Sequence, residues 1–451
     1  MSSAPTLIAA EPALPEPDPA ASLPRLLTGI PAHGAMSLDE HLSIHGLAPS
    51  AQPRRRREES PLIARIERAG LCGRGGASFP TARKLRAVAS SRGRPVVVVN
   101  AAEGEPASLK DRTLTYSLPH LVLDGAELAA QALGAEELVV CVCESALASA
   151  ESVGAAIAER PRPRGAAQIR LAVVPDHYVA GQESALVNYL GGGPAIPTFT
   201  PPMPFEQGVR RRPTLINNAE TLAHVALIAR HGSQWFRRLG GATQPGSTLV
   251  TLSGPVAHPG VYEIEYGCSL SSLLGAAGGT TAGVSAALLG GYAGTWIDGK
   301  LLRGLTLSDE HLAPHGASVA AGVVLLLSEE ACPVAETARV AQWLAGQSTG
   351  QCGPCLNGLD ALAATVKEIA GGVAEASATQ RIARLAALVR RRGACGHPDG
   401  TVNFILSALE TFAPAFADHA RHGPCDACAH AAELPLGVGS SSAPRERARA
   451  R

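Results

Sequence analysis

The 451-residue sequence carries 39 basic and 39 acidic side chains and is 46% hydrophobic. That balance argues against a nucleic-acid or polyanion partner and leaves apolar material for two to four domains. No apolar run approaches the ~20 residues of a membrane helix, and the N-terminus lacks the basic start and apolar core of a signal peptide. The ten cysteines are therefore expected in a reducing, cytoplasmic setting, serving metals, redox chemistry or burial.

In chain order, residues 1–59 are rich in Pro and Ala and end in Arg54-Arg55-Arg56-Arg57-Glu58-Glu59. They are expected to form a mostly disordered tail. Ser60 then caps a predicted helix over Pro61–Arg68. The stretch Gly73-Arg74-Gly75-Gly76-Ala77-Ser78-Phe79-Pro80-Thr81 follows. Its glycines bare backbone N–H groups that can converge on an anion. Pro80 and Thr81 open a helix whose N-terminal dipole favours phosphate, and Arg74 and Lys84 add cations. It is neither a P-loop, which needs Gly-Lys-Ser/Thr, nor a dinucleotide fingerprint, because Ser78 occupies the third glycine's place.

Val96–Val99 reads as a buried strand. It delivers Asn100-Ala101-Ala102-Glu103-Gly104-Glu105-Pro106 and Lys110-Asp111-Arg112 where an open α/β sheet places ligand loops. Lysine occurs only at 84, 110, 300 and 367, which draws attention to the first two. A helix over Leu118–Leu133, a strand over Glu137–Cys143, a helix over Ala146–Ala158 and a strand over Ile169–Val174 make the fold class α/β. Gly181-Gln182-Glu183 opens another helix. Asn217-Asn218-Ala219-Glu220-Thr221 reads as a helix cap that could equally bind a hydroxyl or phosphate.

From Ser247 the texture changes. Ser247–Gly254 and Gly260–Ile264 read as a hairpin, followed by a helix over Leu270–Ala277, a Gly-rich loop and a strand over Val323–Leu327. Helices are expected from Pro333 to about residue 420, and the last 20 or so residues are expected to be disordered. Cys352-x-x-Cys355, with Cys395 farther on, is a metal-site pattern. A thioredoxin-like dithiol is the competing reading but wants a βαβ context that this helical region lacks, and zinc with His397 as fourth ligand would also fit. Cys425-x-x-Cys428 forms a second pair near the tail. Cys72, Cys141, Cys143, Cys268 and Cys332 lack ligand spacing and are expected to be buried.

Four motifs in order, Gly-Arg-Gly-Gly-Ala-x-Phe-Pro-Thr, Asn-Ala-x-Glu-Gly-Glu-Pro, Gly-x-Glu-x-Ala-Leu and Asn-Asn-x-Glu-Thr-Leu, resemble one family over residues 60–422. It is the FMN-binding flavoprotein component of NADH:quinone oxidoreductase (complex I), with relatives in NAD-reducing hydrogenases and formate dehydrogenases. The resemblance implies an FMN- and NADH-binding α/β domain over 60–243, a ubiquitin-like β-grasp domain over 244–332, a helical iron–sulfur domain over 333–422 and a disordered tail over 423–451. It implies FMN contacts at Gly73, Gly75, Gly76, Lys84, Asn100, Glu103, Gly181, Glu183, Asn217, Asn218 and Thr221. Glu105 and Glu183 would be the catalytic carboxylates, with Phe79 and Glu105 retained from the dinucleotide pocket. Electrons would pass from NAD(P)H through FMN to an iron–sulfur or ferredoxin-like partner, in a complex at the inner face of a membrane.

The sequence also departs from that pattern. Thr349 stands where the first of three clustered cysteines belongs, leaving Cys352, Cys355 and Cys395 for a 4Fe–4S or 3Fe–4S centre. Nearby candidates for the fourth corner are His397, Cys332 and the Cys425/Cys428 pair. Ala102 and Gln182 replace acidic residues, and Leu85 and Met203 stand where aromatics would sandwich adenine, predicting weaker NADH binding. A non-catalytic relay or scaffold with lost dinucleotide binding is the alternative.

Overall fold

The computed structural model describes residues 22–50, 60–319, 321–375 and 377–437. Within them lie a four-stranded parallel sheet, a five-stranded mixed sheet and a set of C-terminal helices. The chain is a mixed α/β fold.

The parallel sheet has the order β3-β2-β1-β4, built from β1 (Val96–Ala101), β2 (Glu137–Cys143), β3 (Gln168–Val174) and β4 (Thr214–Asn218). Val96, Val98, Val139 and Ile216 face one apolar layer; Val97, Val99, Leu138, Val140 and Leu215 face another. Helices cover both faces, so these strands read as unbroken apolar runs rather than alternations. From β1 the chain moves to β2 and β3, then crosses to β4 on the other side of β1. The direction of winding therefore switches between β1 and β4, and their carboxyl ends frame a crevice. In register there, Val99 pairs with Asn217 and Asn100 with Asn218.

The mixed sheet has the order β6-β5-β9-β7-β8: β5 (Ser247–Ser253), β6 (Gly260–Glu265), β7 (Val284–Leu289), β8 (Thr295–Asp298) and β9 (Val323–Ser328). Strands β5 and β9 run parallel; the other pairs are antiparallel. One face packs on the short helix Leu270–Ala276, the other on the C-terminal helices. Where the sequence predicts only a Gly-rich loop, the structure has β7 and β8. Gly290, Gly291 and Gly294 make the turn that joins those two strands, and the turn's composition masks them.

Both tails differ from expectation. Residues 22–50 pack on the first layer: the N–H groups of Arg25, Leu26 and Leu27 donate to Glu263 Oε2 at 2.7, 2.8 and 3.2 Å. A capped helix, Leu38–His45, buries His41, whose Nε2 lies 2.8 Å from Asp124 Oδ2. Residues 423–437 also pack, with Leu434 buried and its N–H 3.0 Å from Glu336 Oε2. The arginine run at 54–57 and residues 1–21 and 438–451 lie outside the described residues. Of the cysteines expected in the core, Cys141, Cys143 and Cys332 are buried, whereas Cys72 and Cys268 are only half-buried.

Candidate active site

The glycine loop begins and ends at one point. Cys72 and Pro80 form an isolated antiparallel bridge, Gly73 N–H donates to Phe79 O at 2.8 Å, and Thr81 N–H to Leu71 O at 2.9 Å. The loop leans over the end of β4, where Arg74 N–H donates to Thr221 Oγ1 at 2.9 Å. Gly76 has φ +100°, and a Cβ there would stand in open space. That conformation favours glycine and leaves the backbone exposed toward the crevice. The helix Thr81–Ser90 follows directly.

Across the crevice, the loop after β1 meets the segment 177–183. A Cβ on Gly181 would lie 2.3 Å from Ala102 O, so the approach requires glycine. Asn100 Nδ2 donates to Gly181 O at 2.7 Å and ties the two together. The result is a cavity of about 690 Å³, in the range of sites for whole cofactors. Gly73, Arg74, Gly75, Gly76, Phe79, Lys84, Asn100, Glu103, Glu105, Gly181, Glu183, Asn217, Asn218 and Thr221 all line it. Gly290, Gly294, Gly316 and Asn403 close it from the mixed sheet and the helix His397–Thr411. Sequence pattern does not find those four, because no motif links them to the loop.

Several side chains differ from the roles their types suggest. Arg74 is buried, with Nη2 3.1 Å from Ser247 O, Nη1 3.3 Å from Cys72 O and Glu220 3.8 Å away. Its guanidinium anchors the loop to β5 and is not available to a phosphate. Lys84 Nζ bonds Glu183 and, at 3.0 Å, Ile216 O. Lys110 is buried, 2.9 Å from Asp111, 3.1 Å from Glu220 and 3.2 Å from Asn218 Oδ1. Burial opposes its charge, but the carboxylates of Asp111, Glu220 and Glu103 outweigh that and hold it protonated. Glu103 caps the helix Lys110–Ser117, accepting the N–H groups of Asp111 and Arg112, both at 3.2 Å. Glu105 accepts Tyr292 N–H at 2.9 Å and Ala107 N–H at 3.3 Å; burial pushes its carboxyl up to about 7.

Leu85 and Met203 are not an adenine sandwich. Leu85 is 0% exposed in the core beneath the glycine loop. Met203 is partly exposed and lies outside the residues lining the cavity. Phe79, by contrast, is 46% exposed and lines it, with the Arg83 guanidinium 5.9 Å from its ring centre.

The site suits FMN on two observations. The open backbone at Gly76 offers a phosphate cradle, and Asn217, 5% exposed, has an Nδ2 donor with no protein partner. A buried unpaired donor is costly unless a ligand accepts from it.

Beyond the crevice, the cavity-lining Tyr178 packs on His397, two residues from Cys395, with ring centroids 5.3 Å apart. Cys352 and Cys395 stand close enough to Cys355 to raise its thiol electrostatically; with burial, the largest cause, it is pushed up to about 12. The turn Pro354–Leu359 is π-helical and turns Cys355 inward. Three thiols gathered this way suit an iron–sulfur centre with three thiolate ligands. The buried His397 has Nε2 2.9 Å from Leu344 O, and its Nδ1 has no protein partner. Cys332 and the Cys425/Cys428 pair are not candidates for the fourth corner. They lie at the far end of the 14-residue helix Pro333–Gly346, about 21 Å along its axis.

Two family models match this chain: the Nuo51 FMN-binding domain over residues 66–227 and the NADH-ubiquinone oxidoreductase-F iron-sulfur binding region over residues 335–419. The NADH-quinone oxidoreductase F-subunit 2 of Rhizobium meliloti is 32% identical, over 81% of this chain and 90% of that protein. The chain belongs to the family of NADH-quinone oxidoreductase F-subunits. The F-subunit of Streptomyces coelicolor is 30% identical, over 79% of this chain and 82% of that protein. Among solved structures, the NAD+-reducing NiFe-hydrogenase in its H2-reduced state aligns with TM-score 0.74 and 31% identity. That alignment covers 81% of this chain but 63% of the hydrogenase chain. As a flavoprotein of this family, the chain is an oxidoreductase whose cofactors are FMN and an iron–sulfur centre, with NADH as the donor that fits the family. Among the described residues, no helix is long and apolar enough to cross a membrane.

Proposed function

We propose that this chain takes electrons from NADH in the crevice at the β1/β4 switch point and passes them to an iron–sulfur centre on Cys352, Cys355 and Cys395. When bound, FMN would supply the conversion chemistry, accepting two electrons at once and releasing them singly. The glycine loop's N–H groups would hold its phosphate, and Asn217 Nδ2 would donate to it. Lys84 places an ammonium group at the cavity wall, shared with Glu183, where it would offset part of the phosphate's charge. Phe79, at the mouth, offers a face on which adenine could stack. Glu105, neutral in part at pH 7, would let an anionic dinucleotide approach without full carboxylate repulsion, and Glu183 would be positioned by Lys84.

The mixed sheet is read as the β-grasp element, and the helices from Pro333 as the bundle carrying the cluster. The partner is an iron–sulfur protein of a larger redox assembly. The observation that carries the reading is the packing of the cavity-lining Tyr178 on His397, two residues from Cys395, which brings the cysteine region up to the cavity wall.

The test is anaerobic addition of NADH to FMN-loaded protein. Bleaching of the flavin band supports the reading. A flavin that stays oxidised with both NADH and NADPH would favour a relay without dinucleotide oxidation.

A further inference from the structure

A second sulfur cluster sits at the opposite end of the helix Pro333–Gly346 from Cys352. Cys332 caps that helix, its sulfur accepting Ala335 N–H at 3.3 Å. Against Cys332 Sγ lie His419 Nε2 at 3.3 Å and Cys428 Sγ at 3.4 Å. Cys428 Sγ is also 3.9 Å from His419 Nε2 and 3.7 Å from Cys425 Sγ. All four donor atoms lie within 4.8 Å of one another. These sulfurs are too far apart for a disulfide, which needs about 2.05 Å. They are spaced like the corners of a tetrahedron around one ion. With metal–sulfur bonds of about 2.3 Å and a metal–nitrogen bond of about 2.0–2.1 Å, its edges would be roughly 3.6–3.8 Å.

The surroundings suit a cation. His419 Nδ1 is 3.3 Å from Ala370 O; donating there leaves the Nε2 lone pair turned toward the sulfurs, the usual orientation of a ligating imidazole. Cys332 sits at a helix N-terminus, where the dipole favours thiolate. Three of the four residues fall outside the matched iron–sulfur region, which spans 335–419.

We infer that Cys332, His419, Cys425 and Cys428 bind one zinc ion in a closed structural site. Three thiolates and an imidazole leave no open position for chemistry. The site instead pins the C-terminal segment. From Cys428 the chain continues through Glu433, which bonds Ser328 at the end of β9, and Pro435, whose carbonyl accepts from Tyr292. Leu436 and Gly437 then line a smaller cavity shared with Glu105, Tyr178 and Trp343. Zinc would thus hold a strap reaching from the helices to the edge of the active site.

The test is metal analysis of the full chain purified under reducing conditions. One zinc per chain is expected in addition to iron. Cys428→Ser should lower it at least tenfold, and Cys352→Ser should lower iron while keeping zinc. Absence of zinc from the wild type, zinc that follows Cys352, or a Cys425–Cys428 disulfide in the reduced protein overturns the assignment. So does iron in its place. Should Cys428→Ser fail to fold, cobalt exchanged into the wild type decides: intense tetrahedral bands with thiolate charge transfer support the site, and a weak octahedral spectrum overturns it. Zinc chelation should speed amide exchange across 430–437; unchanged exchange would overturn the strap.

Discussion

At the scale of single residues, Gly76 carries the cofactor assignment. Its φ of +100° disfavours a side chain, and the space beside it is open. Gly76→Val should lower FMN retention at least tenfold, or about 1.4 kcal/mol, while circular dichroism stays native; stoichiometric FMN in that variant would remove the cradle. Glu105 should impose a pH dependence. Its carboxyl is raised from 4.5 to about 7, so it is neutral below that range and anionic above it. Affinity for the anionic dinucleotide should fall as pH rises through about 7, and Glu105→Gln should flatten the profile. The same sign holds for stability: the folded state keeps this proton longer, so stability falls between pH 4.5 and about 7. With Cys352, Cys355 and Cys395 as the proposed ligands, Thr349 would leave one corner of the cluster without a thiolate. Iron there should be lost on mild oxidation, leaving a 3Fe–4S signal by low-temperature EPR, and Thr349→Cys should hold all four irons. Much of this site is legible from residue type, since bare glycines and clustered cysteines announce their chemistry. The directions of side chains are not. Arg74 lines the cavity, but its guanidinium is held by Ser247 O and Cys72 O, and Leu85, at a position where the resemblance implies an aromatic, is buried in the apolar layer under the loop.

At the scale of elements, β1, β2, β3 and the β5–β6 hairpin follow from apolar runs and turn residues. Strand β4 is hidden in the sequence because Asn217 and Asn218 read as a cap, and the structure uses them both ways: as strand end and, through Asn218, as the cap of Ala219–His231. The N-terminal segment is hidden by its composition. Its anchor is polar and distant in sequence: Asp124 binds His41, Arg160 and Arg230 at once. Burial alone would raise this carboxyl, but those three partners hold it well below the usual carboxylate range. Its contribution is therefore complete at neutral pH and fades as pH falls below the ordinary carboxylate pKa. Asp124→Asn should cost about 3 kcal/mol at pH 7, because it leaves Arg230 buried without its carboxylate partner and Arg160 with Glu127 alone. Chemical denaturation should show the deficit shrinking toward about pH 2–3; a deficit independent of pH would mean the network is not electrostatic.

At the scale of the whole molecule, two sheets and a set of helices converge on one crevice. The first sheet supplies the switch point, the mixed sheet closes the cavity through Gly290 and Gly294, and the helices bring His397, two residues from Cys395, against Tyr178. On the proposed reading, electrons entering at the crevice leave through Cys352, Cys355 and Cys395. Rapid-freeze EPR of the FMN-loaded, iron-reconstituted chain after mixing with NADH measures this most directly. A reduced iron–sulfur signal should grow as the flavin absorbance decays, and Cys395→Ser should abolish the signal while the flavin still bleaches. A flavin reduced by NADH beside a cluster that never reduces, in wild type holding its full iron, would contradict that route.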